Sequence, residues 1–503
     1  MGEDMSMAAL ATRLMTQGGD ARILLDPASG LNRYHAAPRP SGIVAYASST
    51  ANDISADAFA HVEAWLAEHA PAGELSAADY ARHLESLHAR IRRAYGVADD
   101  VAIIFAPSGT DLEYVALACT GGKAKGGTHN ILLGSDEVGS GCIYSAHGQY
   151  FAESTALGIP TKAGDPVPGL DATHVAMIDI PVRDSRGQAR PSEEIVADVS
   201  IAEAQHADQH PLLHIVHGSK TGLILPSLAD LQALRARHGD GVSFVVDACQ
   251  ARITSAAIAD YLKLGAIVFL TGSKFMGGPP FSGFALVPPH FVAGAAPIPA
   301  GLATIFRRAE WPQDWPGVGQ LPDTANVGLL LRLEASIFEL ERFQALSTEA
   351  VTRVILAFHA AVRSEIIEKI GVRRVAPYPP GDRFEADGHP IEMRTLSTLD
   401  LTPLGGATFE HAQAWHKALL AHGVRLGQPV KCVRLPDGNW GATLRIALTM
   451  PQLMERSALD DQHLAAAFQA DMRKIADALA QVAHSPAKAV SRPRLAPATP
   501  VQA

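Results

Sequence analysis

An acid at the end of one apolar run and a lysine in the turn after the next are the residues of this sequence best placed to do chemistry together. In residues 242–287 the run VSFVVD ends at Asp247, a helical stretch follows, and a second run, AIVFLT, opens into Gly272-Ser273-Lys274. Two strands joined by a helix lie parallel, so their ends reach the same edge of a sheet, where open α/β folds bind ligands. Lysine offers an amine that condenses with an aldehyde. A carboxylate at that edge can hold a pyridine nitrogen protonated, so that the ring withdraws electrons. Those are the demands of pyridoxal phosphate (PLP), and Gln250 stands where it could donate to the ring's phenolic oxygen. By residue type alone, the same pair also fits an ordinary α/β domain with a strand-end acid and a surface lysine.

A second stretch supplies a place for a phosphate. Residues 101–105 read as a strand that enters Pro107-Ser108-Gly109-Thr110-Asp111, and a helix begins at once. Amides left free at a helix N-terminus, with the positive end of its dipole, attract anions. Gly109 permits close approach, and Ser108 and Thr110 add hydroxyls. Ser and Thr also cap helices that bind nothing. The turn gains weight because it belongs to the same alternation of strands and helices as Asp247 and Lys274. Nearby, GGKAKGGT lacks the GK[ST] of a P-loop, so Lys123 and Lys125 read as a solvated turn.

Asp247-Ala-Cys-Gln250 followed by Gly272-Ser273-Lys274 resembles the D-x-x-Q and S-x-K pair of fold type I PLP enzymes, in the branch of class V aminotransferases and cysteine desulfurases. The 108–111 turn is similar to their phosphate-gripping S-G-(A)-T-E. The resemblance runs from about Ser48 to Leu453 on few anchor positions. It implies a Schiff base at Lys274, a ring nitrogen on Asp247, and a phosphate on Ser108, Gly109 and Thr110, with Gln250 and Ser273 as further cofactor contacts. His217, with Ser219, Thr221 and Gly222, matches the polar strand end and Thr-Gly turn that touch the ring or substrate. Lys220 is the rival Schiff-base lysine; Lys274 is preferred because its glycine turn follows the acid at the usual spacing.

The same resemblance implies that Arg445, in TLRIALTMPQL, clamps a substrate carboxylate through its bidentate fork. It carries the N-terminal segment across the active-site mouth, making Ser48, Ser49 and Asn52 candidate substrate contacts, with plain turn chemistry the alternative for each. Thr324-Ala325-Asn326 resembles the G-T-x-N loop that reaches a partner subunit's phosphate, although Asp323 replaces the glycine. That implies a two-fold homodimer with shared active sites, while a helix cap at Thr324 is the alternative. One expected feature is missing. Asp136-Glu137-Val138-Gly139-Ser140 stands where relatives carry an aromatic ring that stacks on the cofactor, which leaves Tyr144 or His147 as substitutes.

The elements that must position these groups follow from pattern and composition. Strands alternating with helices between 101 and 287 predict an α/β architecture, a mostly parallel sheet with helices on both faces. A chain of 503 residues exceeds a single core. We expect an N-terminal segment (1–55), a large PLP-binding domain (56–330), a smaller α+β C-terminal domain (331–484) and a proline-bearing disordered tail (485–503). Net charge is −10, with no Lys/Arg block that suggests nucleic acid. Four cysteines without a CxxC pair suggest neither zinc nor disulfides. His206, His210, His214 and His217 do not share a face, because Pro211 breaks the spacing and His214 and His217 alternate on a strand; no metal site is expected. No leader or long apolar run is visible, so the expectation is a cytoplasmic protein without a membrane role.

Three readings fit, two of them enzymatic. In an aminotransferase, Lys274 would move the α-proton of a small-molecule substrate, an amino acid or related amine, to the cofactor carbon. In a C–S lyase or cysteine desulfurase, Cys432 in VRLGQPVKCVRL, similar to the V-R-x-G-x-x-C of one desulfurase group, would be the nucleophile, its pKa lowered by Lys431 and Arg434. The third is a non-catalytic scaffold.

Overall fold

The computed structural model of the chain describes residues 6–135, 137–139, 141–171, 173–378 and 391–484. Asp136, Ser140 and the tail expected at 485–503 lie outside the described residues.

Seven strands form the backbone of the large sheet: β1 (Ala102–Ala106), β2 (Thr128–Leu133), β3 (Val175–Ile180), β4 (His210–His217), β5 (Ser243–Asp247), β6 (Ile267–Thr271) and β7 (Gly283–Val287). Their order is β3-β2-β4-β5-β6-β7-β1, and the short strand Ile224–Leu225 adds to β4. The sheet is parallel except for β7, which runs antiparallel to both β6 and β1, and the short Ile224–Leu225 strand, which runs antiparallel to β4. The mostly parallel α/β sheet expected from the alternating pattern is therefore present. Asp247, the last residue of β5, pairs with Val216 of β4 and Phe269 of β6, deep in the middle of the sheet.

Why these strands are apolar throughout is visible in where their side chains go. Phe244 and Val246 pack into one core, and Val245 into a second on the other face. In β6, Val268 and Leu270 face the first core, Ile267 and Phe269 the second. A strand buried on both faces cannot alternate apolar with polar. Fully burying a side chain such as Phe244 or Phe269 contributes about 3 kcal/mol.

The C-terminal region holds a three-stranded antiparallel sheet, Arg373–Val375, Leu396–Asp400 and Thr443–Ala447, beside the helices Thr348–Ala361 and Asp461–His484. The N-terminal strand Val44–Tyr46 pairs in parallel with Val424–Leu426, and Ala47 bridges to Ala447. Residues 44–52 are thereby held between the large sheet and the C-terminal one. Ser76 Oγ accepts from Asp79 N at 3.0 Å and caps the start of the helix Ala77–Tyr95. No single helix among the described residues is long and apolar enough to cross a membrane.

Candidate active site

The C-terminal ends of β5 and β6 and the turn after β1 open on one cavity of about 240 Å³, which Ser108, Gly109, Thr110, Asp247, Gln250, Ser273, Lys274 and Arg445 all line. Parallel strands explain the convergence, since each delivers its last residue to the same edge.

The turn between β1 and the helix Leu112–Thr120 is built for close approach. A Cβ on Gly109 would lie 2.7 Å from Thr271 Cγ2 and 3.3 Å from Cys249 Sγ, so only glycine fits. Ser108 Oγ donates to Asp111 Oδ2 at 2.6 Å and accepts from Asp111 N. The Gly109 and Thr110 amides have no hydrogen-bond partner among the described residues. Burial pushes the Asp111 carboxyl up to about 7, reinforced by Asp20 and opposed by the Ser108 bond and by Arg22.

Asp247 Oδ1 accepts from Cys249 N at 2.9 Å, which fixes the carboxylate at the strand end. The Lys274 ammonium has no hydrogen-bond or carboxylate partner among the described residues. Asn52, expected at the substrate, instead donates to the carbonyls of Lys274 (2.6 Å) and Ser273 (3.1 Å); it holds the lysine's turn and does not line the cavity. Ser49 does line it, and its Oγ is buried without a partner. Ser48 turns away, donating to Leu448 O at 2.6 Å.

Arg445 is buried and donates only to neutral oxygens: Gln428 O (2.8 Å), Ser49 O, Lys220 O and Thr50 Oγ1 (3.1 Å each). No carboxylate lies within 4 Å of it among the described residues. Burial lowers its pKa to about 10. A buried cation with no acid beside it is poised for an anionic ligand.

Three expectations need correction. His217 does not line the cavity: Nδ1 lies 2.9 Å from Tyr261 OH, with the rings edge-on. Its chain neighbours Val216 and Gly218 do line it, and alternation at the end of β4 sends His217 to the opposite face. Neither Tyr144, which is exposed, nor His147 reaches the cavity; Val138 and Gly139 occupy that wall. Cys432 is buried outside the cavity, and burial pushes its thiol up to about 12, against the pull of Arg183. Lys431 and Arg434 sit over the rings of Phe409 and Trp440.

Thr324 is exposed and away from this cavity, and the helix Val327–Gln344 is capped by Asn326, whose Oδ1 accepts from Leu329 N. The four histidines also diverge: His210 bonds Ser243, His214 lies 3.2 Å from Glu113, and His206 packs on His129.

Several residues of the site were not evident from motifs. Glu137 accepts from Arg183 (2.5 Å), Ser219 (2.6 Å) and Thr221, and so ties down the turn that carries Lys220. Burial alone would raise its carboxyl, but the Arg183 charge and the Ser219 bond hold it below the usual range. Arg252, wholly buried, donates to Gln250 Oε1, Ser48 Oγ, Thr395 Oγ1 and Leu448 O. Burial, then the nearby Arg445 charge, lowers its pKa to about 9. Arg22 enters from the N-terminal arm, a contact no local pattern announces.

No protein-family model and no curated protein sequence matches this chain. Solved structures do match in shape. A NifS-like protein superposes with a TM-score of 0.54 at 13% identity, over 86% of this chain and 99% of that one. The cysteine desulfurase CsdA of Escherichia coli gives 0.53 at 15%, over 88% and 94%. The ureidoglycine-glyoxylate aminotransferase of Bacillus subtilis gives 0.53 at 13%, over 88% and 98%. The fold is that of the class V PLP-dependent enzymes. On that one scaffold both desulfurases and aminotransferases occur, so the fold leaves the reaction to the site.

Proposed function

We propose that this chain is a PLP-dependent enzyme acting on a carboxylate-bearing amino acid or related amine, and within that class an aminotransferase. The observation that carries the reading is one cavity holding an unpartnered lysine, a strand-end carboxylate, uncovered helix-start amides and a buried arginine with no acid beside it.

The residues present fit the cofactor. A phosphate needs donors at close range, which the Gly109 and Thr110 amides and the cramped Gly109 supply. Lys274 would hold its aldehyde, Asp247 would keep the proton on its ring nitrogen, and Gln250 would donate to its phenolic oxygen. When bound, PLP supplies an electron-withdrawing ring that stabilises negative charge on the carbon beside the substrate amine. Arg445 would orient the substrate through its carboxylate, and Lys274 Nζ, once displaced from the aldehyde carbon by the substrate amine, would carry the proton from the substrate Cα to that carbon. We further infer a homodimer, with Thr324 of each chain at the neighbouring site.

Persulfide-forming chemistry finds less support. Cys142 and Cys249 line the cavity, but burial pushes both thiols well up, as it does Cys432, and a protonated thiol is a poor nucleophile. The test is an absorbance spectrum of the purified protein with PLP, repeated with a panel of L-amino acids. Loss of the visible cofactor band with release of a keto acid is the expected result. Sulfide or alanine formed from cysteine would favour the desulfurase, and no visible band at all would sink the PLP reading.

A further inference from the structure

We propose that Arg22, carried on the N-terminal arm, is a phosphate-binding residue of this cavity, adding a cation to the helix-start amides; this rests on the PLP reading above. The guanidinium packs on two aromatic rings, 4.8 Å from the centroids of both Phe151 and Phe281. Its N–H groups donate in the guanidinium plane, from its edges. One edge is taken by Asp20, through Nε at 2.8 Å and Nη2 at 2.6 Å. Nη2 also reaches Ser108 Oγ, in the phosphate turn itself, at 3.4 Å. Nη1 has no partner among the described residues, although the side chain is largely buried and lines the cavity together with Ser108.

Much of the surrounding structure serves to hold the arm there. Arg332, wholly buried on the helix Val327–Gln344, donates to the carbonyls of Met15 (3.0 Å), Gln17 (2.7 Å) and Gly18 (3.0 Å). Its Nε donates to Phe281 O at 2.6 Å, and Phe281 sits at φ +72°, a conformation that a residue with a side chain rarely adopts. Asn326 Nδ2 donates to Gly18 O, and Gly18 is at φ +64°, where any Cβ would overlap Asn326 Oδ1. One buried arginine thus fixes both the arm that carries Arg22 and the strained ring that stacks on it. Backbone strain of this kind concentrates at ligand-binding positions.

A phosphate dianion is the anion that this geometry suits. Nη2 reaches the turn whose amides lack partners, while Asp20 stabilises the arginine through Nε and Nη2 and leaves Nη1 free to donate.

The test uses the full chain freed of cofactor and compares its affinity for PLP with that for pyridoxal, which lacks the phosphate, following adduct formation by absorbance. Arg22→Gln should weaken PLP binding about ten- to a hundred-fold, the size of a lost charge-assisted hydrogen bond, and leave pyridoxal binding within about two-fold. Arg22→Lys, which keeps the charge, should fall between, and Asp20→Asn should retain the preference for PLP over pyridoxal. An equal loss for both compounds would reduce Arg22 to a structural role and overturn the proposal, as would unchanged PLP binding. If the unaltered chain bound pyridoxal and PLP alike, the Arg22 assignment would fall while the PLP reading stood. If it bound neither, both would fall.

Discussion

Arg252 Nη1 donates to Gln250 Oε1 at 2.6 Å, and that bond decides which end of the Gln250 amide faces the cavity. With Oε1 occupied, Nε2 is the end left to donate, one of its protons going to Ser49 O at 3.2 Å. The same guanidinium grips Ser48 and Leu448, so the cofactor-facing amide, the N-terminal segment and the C-terminal region share one anchor.

Replacing Arg252 should therefore alter the cofactor's spectrum as well as stability. Arg252→Met strands several buried acceptors, each costing about 1–3 kcal/mol, but relieves a buried charge next to Arg445. We expect a net loss of about 2 kcal/mol in denaturant unfolding. We also expect a shift in the pH at which the bound cofactor's absorbance changes, because Gln250 is then free to rotate. Arg252→Lys should not restore the spectrum, since one ammonium cannot reproduce the fork. A variant that lost stability with an unchanged spectral titration would show that Arg252 does not orient Gln250.

Lys274 and Lys220 both line the cavity, so geometry alone does not choose between them. The Lys220 turn is pinned, its amide donating to Glu137 O at 2.9 Å and its carbonyl accepting from Arg445. Lys274 follows β6 directly, across the cavity edge from Asp247. Borohydride reduction with PLP, followed by peptide mass analysis, should label Lys274 in the native chain. The label should persist in Lys220→Ala and disappear in Lys274→Ala. A label found on Lys220 would reverse the assignment.

How much of this was legible from residues alone divides along physical lines. Asp247, Lys274 and the 108–110 turn lie where a strand meets a turn, and strand-turn-helix patterns are written in local periodicity. The facing of His217 is not written in the sequence, because a strand covered on both faces offers no polar alternation to show which side points at the cavity. Asn52 was recognised as near the site, yet its contact to the Lys274 carbonyl depends on how a distant segment threads back. Arg22, Arg252 and Arg332 were invisible for the same reason: their partners, such as Ser108, Thr395 and Gln17, are remote in the chain. The mostly parallel character of the large sheet was legible; its strand order, its antiparallel β7 and the buried arginines that join its edge to both ends of the chain were not.

Asp111 makes stability depend on pH in a direction opposite to most carboxylates. Its folded pKa of about 7, raised first by burial, exceeds the unfolded value near 3.9. The folded state therefore binds the extra proton between those values. The stability is fully present below about pH 4 and is lost as pH rises through 7. From pH 5 to 8 this group alone should remove about 3 kcal/mol, at about 1.4 kcal/mol per unit over the two units below its pKa. Asp111→Asn, which keeps an acceptor for Ser108 Oγ, should lack that dependence. Urea unfolding at a series of pH values would reveal it, and equal pH slopes for the two proteins would show that Asp111 is ionised in the fold.

Cys432 should prove dispensable for the reaction. A persulfide-forming cysteine has to present a thiolate to the substrate, whereas Cys432 is 6% exposed, lies outside the cavity and has a thiol pushed up to about 12 by burial. At pH 8 a thiol of that pKa is ionised to about one part in ten thousand, against about a quarter for an unperturbed cysteine. Native protein treated with iodoacetamide should therefore alkylate Cys432 far more slowly than the same protein in urea, by at least about a hundred-fold. Cys432→Ser should retain keto-acid formation within about two-fold, while its small buried cavity and unpaired hydroxyl cost about 1–2 kcal/mol of stability. Rapid alkylation in the native state, together with loss of sulfide release from cysteine in Cys432→Ser, would instead mean that the segment opens to the active site, and the desulfurase reading would displace transamination.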